Sequence, residues 1–207
     1  MNIVKIGFKN SLNSSLESHM FMDRKRVFID RMGWNLSHHD GEEVDQFDDV
    51  YAIYVIISDS DQGTHLASAR LLPTTRPHLL DTLFTDLCDI EIPHGHHIYE
   101  LTRFCVTPEV DARRRLQLRN QLFSALVDFA LMHGIQSYTG VTHARFLSQV
   151  LSIGWRCDML GLPRETAGGT LTAVQAHVGP ETISLLRRAG TYVPIPLVTP
   201  VALSCAA

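Results

Sequence analysis

The sequence is poor in cysteine, in lysine and in long apolar runs, and each shortage excludes something. Four Cys (Cys88, Cys105, Cys157, Cys205) are scattered over 207 residues with no CxxC pair. That spacing offers neither a zinc-ligand set nor a disulfide framework, so a cytoplasmic, reducing environment is expected. The longest unbroken apolar run, Val50 to Ile57, has eight residues. A helix needs roughly 20 to cross a bilayer, so no membrane span is expected. The opening MNIVKIGFKNS lacks the apolar core of a secretory signal. No GxGxxG follows a strand pattern, which removes a Rossmann-type dinucleotide site. No repeat or low-complexity linker interrupts the chain, so residues 1–207 read as a single domain. Residues 190–207 form an uncharged, Pro-containing tail.

The net charge of −4 speaks against nucleic acid as a partner, but the average hides a partition. Residues 40–61 hold eight acids and no Lys or Arg, whereas residues 113–119 hold four Arg (Arg113, Arg114, Arg115, Arg119) and no acid. Only three Lys occur, all in the first 25 residues; the other 15 cations are Arg. Guanidinium suits planar recognition of carboxylate and phosphate better than ammonium does.

Hydrophobic spacing supplies the elements. Leu12, Leu16 and Met20, then Val27, Phe28 and Met32, predict helix up to Gly33. The acidic segment 40–49 reads as loop. Val50–Ile57 and Leu66–Leu72 predict two strands joined by a hairpin turn at Ser60–Gly63. Residues 73–97, rich in Pro and His, read as a mostly irregular excursion. Ile98–Val106 predicts a strand, and Leu116–Phe129 a helix ending at Gly134. A strand at Ile135–Val141, a short helix at Ala144–Ile153 and strands at Trp155–Leu160 and Thr170–His177 follow. A last helix, Pro180–Ala189, has Pro at its start and Gly190 past its end. This order predicts an α/β (α+β) three-layer αβα sandwich around a central mixed, mostly antiparallel sheet.

Three clusters carry a resemblance. They are Arg24-x-x-x-Phe28-x-x-x-x-Gly33-Trp34 leading into Glu43-x-Asp45-x-Phe47-Asp48, then Ala69-Arg70-Leu71, then Tyr99-Glu100-Leu101-Thr102-Arg103-Phe104. In this order and spacing, over roughly residues 1–190, the chain resembles the LuxI-type acyl-homoserine lactone synthases, which make bacterial quorum-sensing signals. The resemblance implies a GNAT-like fold and a single autoinducer-synthase domain. The substrates it implies are S-adenosylmethionine and an acyl thioester, with no metal and no cofactor.

By motif, the family's near-invariant residues fall on Arg24, Phe28, Trp34, Asp45, Asp48, Arg70, Glu100 and Arg103. For S-adenosylmethionine, Phe28 and Trp34 offer apolar and cation–π surface to the sulfonium and adenine. Asp45 and Asp48 neutralise the amine or hold the arginines, and Arg103 grips the carboxylate through a charge-assisted fork. Glu100 is expected to pair with Arg70 and to act as general base, directly or through water. The oxyanion is assigned to backbone N–H groups near Phe104 and Cys105, beside a splayed or bulged strand. Cys105 itself reads as a small core residue. The acyl pocket is expected from Phe104, Leu122, Leu126, Tyr138, Thr142, Phe146, Leu147 and Leu151, with Thr142 near a family position that favours 3-oxo chains.

Four cations at a helix start oppose the helix dipole, so Arg113, Arg114, Arg115 and Arg119 read as a docking patch for acyl-carrier protein. CoA-binding GNAT enzymes place a Gly-rich loop before this helix, and Thr107 to Gln121 contains no Gly. Carrier protein is therefore preferred over acyl-CoA as donor. His94-Gly95-His96-His97 reads as a surface stretch, because no acid or Cys accompanies it at ligand spacing. Two alternatives stay open: a GNAT-type N-acyltransferase using acyl-CoA and another amine, and a non-catalytic acyl- or S-adenosylmethionine-binding module.

Overall fold

The computed structural model describes residues 2–59 and 63–198. It begins with β1 (Asn2–Phe8), α1 (Ser14–Arg24) and a π-helical stretch (Lys25–Arg31). Next come β2 (Ile53–Asp59), β3 (His65–Pro73), α2 (Leu79–Thr82) and β4 (Ile98–Val106). α3 (Ala112–His133), β5 (Ser137–His143), α4 (Leu147–Leu151), β6 (Arg156–Met159) and β7 (Arg164–Thr166) follow. The chain continues with β8 (Gly169–His177), α5 (Thr182–Arg188) and β9 (Leu197–Val198). The fold is α/β with mixed strand pairing, mostly antiparallel, as the element order predicts.

Contacts divide the chain into two compact units. One holds residues up to Leu71, Arg103–Ala125 and those from Val193 on; the other holds Leu72–Thr102 and Leu126–Tyr192. β4 and α3 each pass from one unit to the other.

In the first unit β2 lies antiparallel to β1 along its whole length and antiparallel to β3 on its other side. Ile53 to Ile57 are buried without a break. A strand covered on both faces has no solvated side to alternate with, which is why the sequence shows a continuous apolar run. Asn13 caps α1 by accepting from the N–H groups of Ser15 and Leu16 at 3.0 and 3.2 Å. The helix then widens into the π stretch and stops at Gly33, whose φ of 72° suits a residue without Cβ. The N–H of Trp34 turns back to the carbonyl of Phe28 at 2.9 Å, which brings the two rings together.

In the second unit the start of β4 runs parallel to β5, with Glu100 opposite Thr139. β5 pairs antiparallel with β8, which pairs with β6 and β7 along its other edge. Leu80 and Leu87 pack with Leu160, Leu171 and Ala173 in one buried cluster. The 73–97 excursion is thus fastened to the sheet by leucines, each contributing about 1.5–3 kcal/mol.

Several boundaries differ from the sequence reading. Val50 and Tyr51 are exposed in a turn, and β2 starts at Ile53. Apolar character alone does not separate a turn from the strand that follows it. α3 begins at Ala112, since its first turn carries arginines rather than apolar markers. The short helix after β5 has five α-helical residues behind a 3-10 turn. β1 and β7 have no counterpart in the reading. The tail begins with an ordered step, because Leu197 and Val198 pair parallel with Val4 and Lys5. Residues 60–62 of the expected hairpin turn, and the tail from 199 with Cys205, lie outside the described residues. β2 and β3 nevertheless pair as a hairpin, with Asp59 bonded to Gly63 and Thr64.

Candidate active site

The first unit draws three arginines and three carboxylates into one network. Arg24, at the end of α1, donates from Nε to Glu43 at 2.6 Å and from both terminal nitrogens to Asp48 at 2.8 and 2.9 Å. Arg70, from the middle of β3, forks onto Asp45 at 2.6 and 3.0 Å and reaches Asp48 at 2.8 Å. Arg103, on β4, bonds Glu43 at 2.9 Å and Asp45 at 2.7 Å through Nη2. The hydroxyl of Tyr54 also donates to Asp48 at 2.8 Å. The acidic loop earns its shape from the same groups: Asp48 accepts from the N–H of Asp45, and Asp45 from that of Phe47.

The formal charges balance, and burial sharpens the pairing. Burial alone would raise the Asp48 carboxyl, but the Arg24 and Arg70 guanidiniums hold it well below the usual carboxylate range. Arg24 and Arg70 are pushed up in turn: burial opposes their charge, and Asp48 leads the carboxylates that overcome it. Tyr54 is raised by burial and by the Asp48 charge.

Exposure is uneven across the network. The side chains of Arg24, Arg70, Glu43 and Asp48 are at most 1% exposed, whereas those of Arg103 and Asp45 reach 8% and 11%. One cation and one anion, paired to each other, form the accessible rim of a buried ionic core. Phe28 and Trp34 stack beside it, with centroids 4.9 Å apart and planes 11° apart. The Arg103 guanidinium lies 5.8 Å from the Phe28 centroid.

Arg103 has a φ of 50°, uncommon for a residue with a side chain. Along β4, Glu100 and Thr102 are buried, then Arg103 and Phe104 are both half-buried, then Cys105 is buried. The inward and outward positions therefore change phase at Arg103, and the strand bulges there. Phe104 stacks on Phe123 at 4.5 Å. Burial, with the Asp23 charge next, pushes the Cys105 thiol far up, which suits a core residue and not a thiolate nucleophile.

In the second unit Glu100 is fully buried. Its oxygens accept the N–H groups of Leu79 at 2.7 Å and Leu80 at 3.0 Å, at the start of α2. These bonds fix the carboxylate's orientation and use one acceptor site on each oxygen. Tyr138 is buried and donates its hydroxyl to the carbonyl of Leu126 at 2.9 Å. Thr142 stands opposite Thr172 on β8. Phe146 lies in the 3-10 turn after β5, at 6.2 Å from the ring of His143. Leu151 is exposed.

The autoinducer synthase model matches residues 8–186. The chain belongs to the autoinducer synthase family. An acyl-homoserine-lactone synthase of Acinetobacter nosocomialis is 34% identical over 155 residues, which cover 74% of this chain and 82% of that protein. TofI, solved in a ternary complex with an inhibitor and MTA, superposes with a TM-score of 0.75 at 28% identity, over 89% of this chain and 96% of that one. MesI, a CoA-dependent acyl-homoserine lactone synthase, gives 0.81 at 25% identity, over 94% and 98%.

As a member of the autoinducer synthases, the chain gathers seven of its eight motif positions, Arg24, Phe28, Trp34, Asp45, Asp48, Arg70 and Arg103, in the first unit. Glu100 belongs to the second. Glu43 stands within the motif, but its position in the sequence shows no role. It is fully buried and ties Arg24 to Arg103. Charge counting is the signal that could have found it: three arginines on separate elements call for three acids, and Asp45 and Asp48 supply two. Tyr54 and Phe123 were hidden as ordinary members of apolar runs.

The docking candidates sit on the first turns of α3. Arg114 donates to Gln117 and Asn2, Arg115 to the Val110 carbonyl and Arg119 to Asn120. Among the described residues none of these guanidiniums, nor that of Arg113, forms an ion pair. No described helix is long and apolar enough to cross a membrane.

Proposed function

We propose that the chain is an acyl-homoserine-lactone synthase that acylates the amine of S-adenosylmethionine from an acyl thioester and then closes the lactone, releasing 5′-methylthioadenosine. The observation that carries this reading is the Arg103–Asp45 rim on a charge-balanced, buried core. An amino-acid zwitterion presents one carboxylate and one ammonium. Arg103 and Asp45 are the complementary pair, and the buried four hold them in place without adding net charge. The Nη1 side of Arg103 carries the donors that the network does not use, suited to a planar carboxylate. The stacked Phe28 and Trp34 offer π surface to a sulfonium.

In the first step the amine, relieved of its proton, attacks the thioester carbonyl. A C–N bond forms and the thiol leaves with a proton. Glu100 is our assignment for the base, and the N–H groups of Phe104 and Cys105, beyond the Arg103 bulge, for the oxyanion. In the second step a methionyl carboxylate oxygen attacks the γ-carbon and the C–S bond to the sulfonium breaks. Positioning is the main requirement, because the leaving group is already charged.

Acyl-carrier protein is the donor we favour. The support is a set of four arginines whose charge is left unneutralised by any described acid. Acyl-CoA is the second reading, favoured by the likeness to the CoA-dependent MesI. Purified protein with S-adenosylmethionine and a panel of acyl thioesters should release methylthioadenosine and a lactone, detected by mass spectrometry. Absence of both products across the panel defeats the reading. Neutralising Arg113, Arg114 and Arg115 should raise KM for the acylated carrier protein about tenfold and leave KM for acyl-CoA near its starting value. Equal effects on both donors would remove the docking patch.

A further inference from the structure

A second polar cluster lies in the first unit beside the network, and nothing in the motif accounts for it. Nδ1 of His65 is 2.7 Å from a carboxylate oxygen of Asp23, and its Nε2 is 3.0 Å from the hydroxyl of Ser68. All three residues are buried. Burial would raise the Asp23 carboxyl, but His65, then Thr107 and Arg26, bring it below its ordinary value.

The backbone is shaped to make this cluster. Ile57 pairs with Ala67 but Ser58 pairs with His65, so Leu66 is an extra residue bulged out of β3. In a regular strand residues 65 and 68 point to opposite faces. The bulge reverses the alternation and puts His65 on the face of Ser68 and Arg70. The carbonyl of Leu66 accepts the N–H of Thr107 at 2.9 Å.

The cluster grips the same two elements that carry the buried arginines. Asp23 precedes Arg24 on α1, and Ser68 shares a face of β3 with Arg70 two residues on. We propose that Asp23, His65 and Ser68 form a positioning relay that locks α1 to β3, and so sets Arg24 and Arg70, with Asp48 between them, for substrate binding. The relay goes beyond the ionic network, and its bearing on substrate rests on the function proposed above. None of the three touches substrate; they act through the arginines.

The test uses the whole protein and two readouts. The first is hydrogen exchange of the Arg24 and Arg70 side-chain N–H groups, followed by NMR without substrate. The second is KM for S-adenosylmethionine against kcat for methylthioadenosine release. His65→Leu keeps volume but removes both polar contacts. It should speed both exchanges and raise KM about tenfold, with kcat changed less than about threefold, the scale of one hydrogen bond to a charged group. His65→Asn retains a donor near Nδ1 and should recover most of the loss. Ser68→Ala should shift both readouts the same way by less, and it carries the test if His65→Leu does not fold. Unchanged exchange and unchanged KM in a folded variant overturn the relay while leaving the proposed function standing. Faster exchange in an otherwise inert protein defeats the function and supports the relay.

Discussion

In the first unit three arginines and three carboxylates leave water together. In the second, the residues assigned to an acyl chain are Leu126, Tyr138, Thr142, Phe146, Leu147 and Leu151, and the one buried carboxylate among the candidates there, Glu100, is tied to backbone amides. Under the proposed function the two regions use opposite means to be specific. A buried guanidinium is tolerated only with its partners in place, so each member of the network fixes the others. An apolar wall tolerates many substitutions of similar volume, so it selects by shape and size. Joining a zwitterionic substrate to an acyl chain, as proposed, needs both kinds of surface.

The comparison breaks most visibly if one charge is removed from the first region. Asp48→Asn leaves Arg24 and Arg70 short of a counter-charge and should cost about 3–5 kcal/mol in denaturant unfolding, with activity lost. The same variant tests the acid limb. The folded carboxyl of Asp48 sits below its ordinary value of 3.8. Its stabilisation is therefore present above that pH and is lost as pH falls through the depressed value. Wild-type unfolding should steepen below about pH 4, and Asp48→Asn should flatten that limb. An unchanged slope would mean that other carboxylates carry the acid sensitivity.

A smaller effect is expected at Glu100, because Gln keeps one oxygen to accept from Leu79 or Leu80 and loses the other bond, its NH2 being a donor. Glu100→Gln should keep the fold and S-adenosylmethionine affinity but lower kcat by about a hundredfold or more if the carboxylate is the base. Turnover within a few-fold of wild type would leave Glu100 as an anchor of α2 only. The smallest effect belongs to Cys105. Its thiol is buried and held protonated. Cys105→Ala should cost about 1 kcal/mol of stability and leave the product profile unchanged. Loss of acyl transfer with intact folding would instead make it a nucleophile.

The two regions were not equally legible. The resemblance to the family motif picks out Arg24, Asp45, Asp48, Arg70 and Arg103, and such positions are matched readily because ionic chemistry restricts which residue types can serve. Leu126, Tyr138 and Phe146 look like any core, because apolar spacing does not distinguish a residue that meets a ligand from one that packs against its neighbours. Glu43 and Tyr54 were missed for a third reason: they act on other side chains, and partners far apart in sequence leave no local pattern.

Most strands and helices and the absence of a long apolar span follow from the sequence by itself, since periodicity and turn chemistry are local properties, and the candidate ionic residues follow from the family resemblance its motifs carry. Tertiary structure alone decided that Arg103 and Asp45 form the accessible rim while Arg24, Arg70, Glu43 and Asp48 are sealed beneath. It also decided that β3 bulges at Leu66 and gave Arg103 on β4 its positive φ. Burial depends on what the rest of the chain brings over a residue, and a bulge depends on how two strands register. Neither quantity exists until the chain has folded.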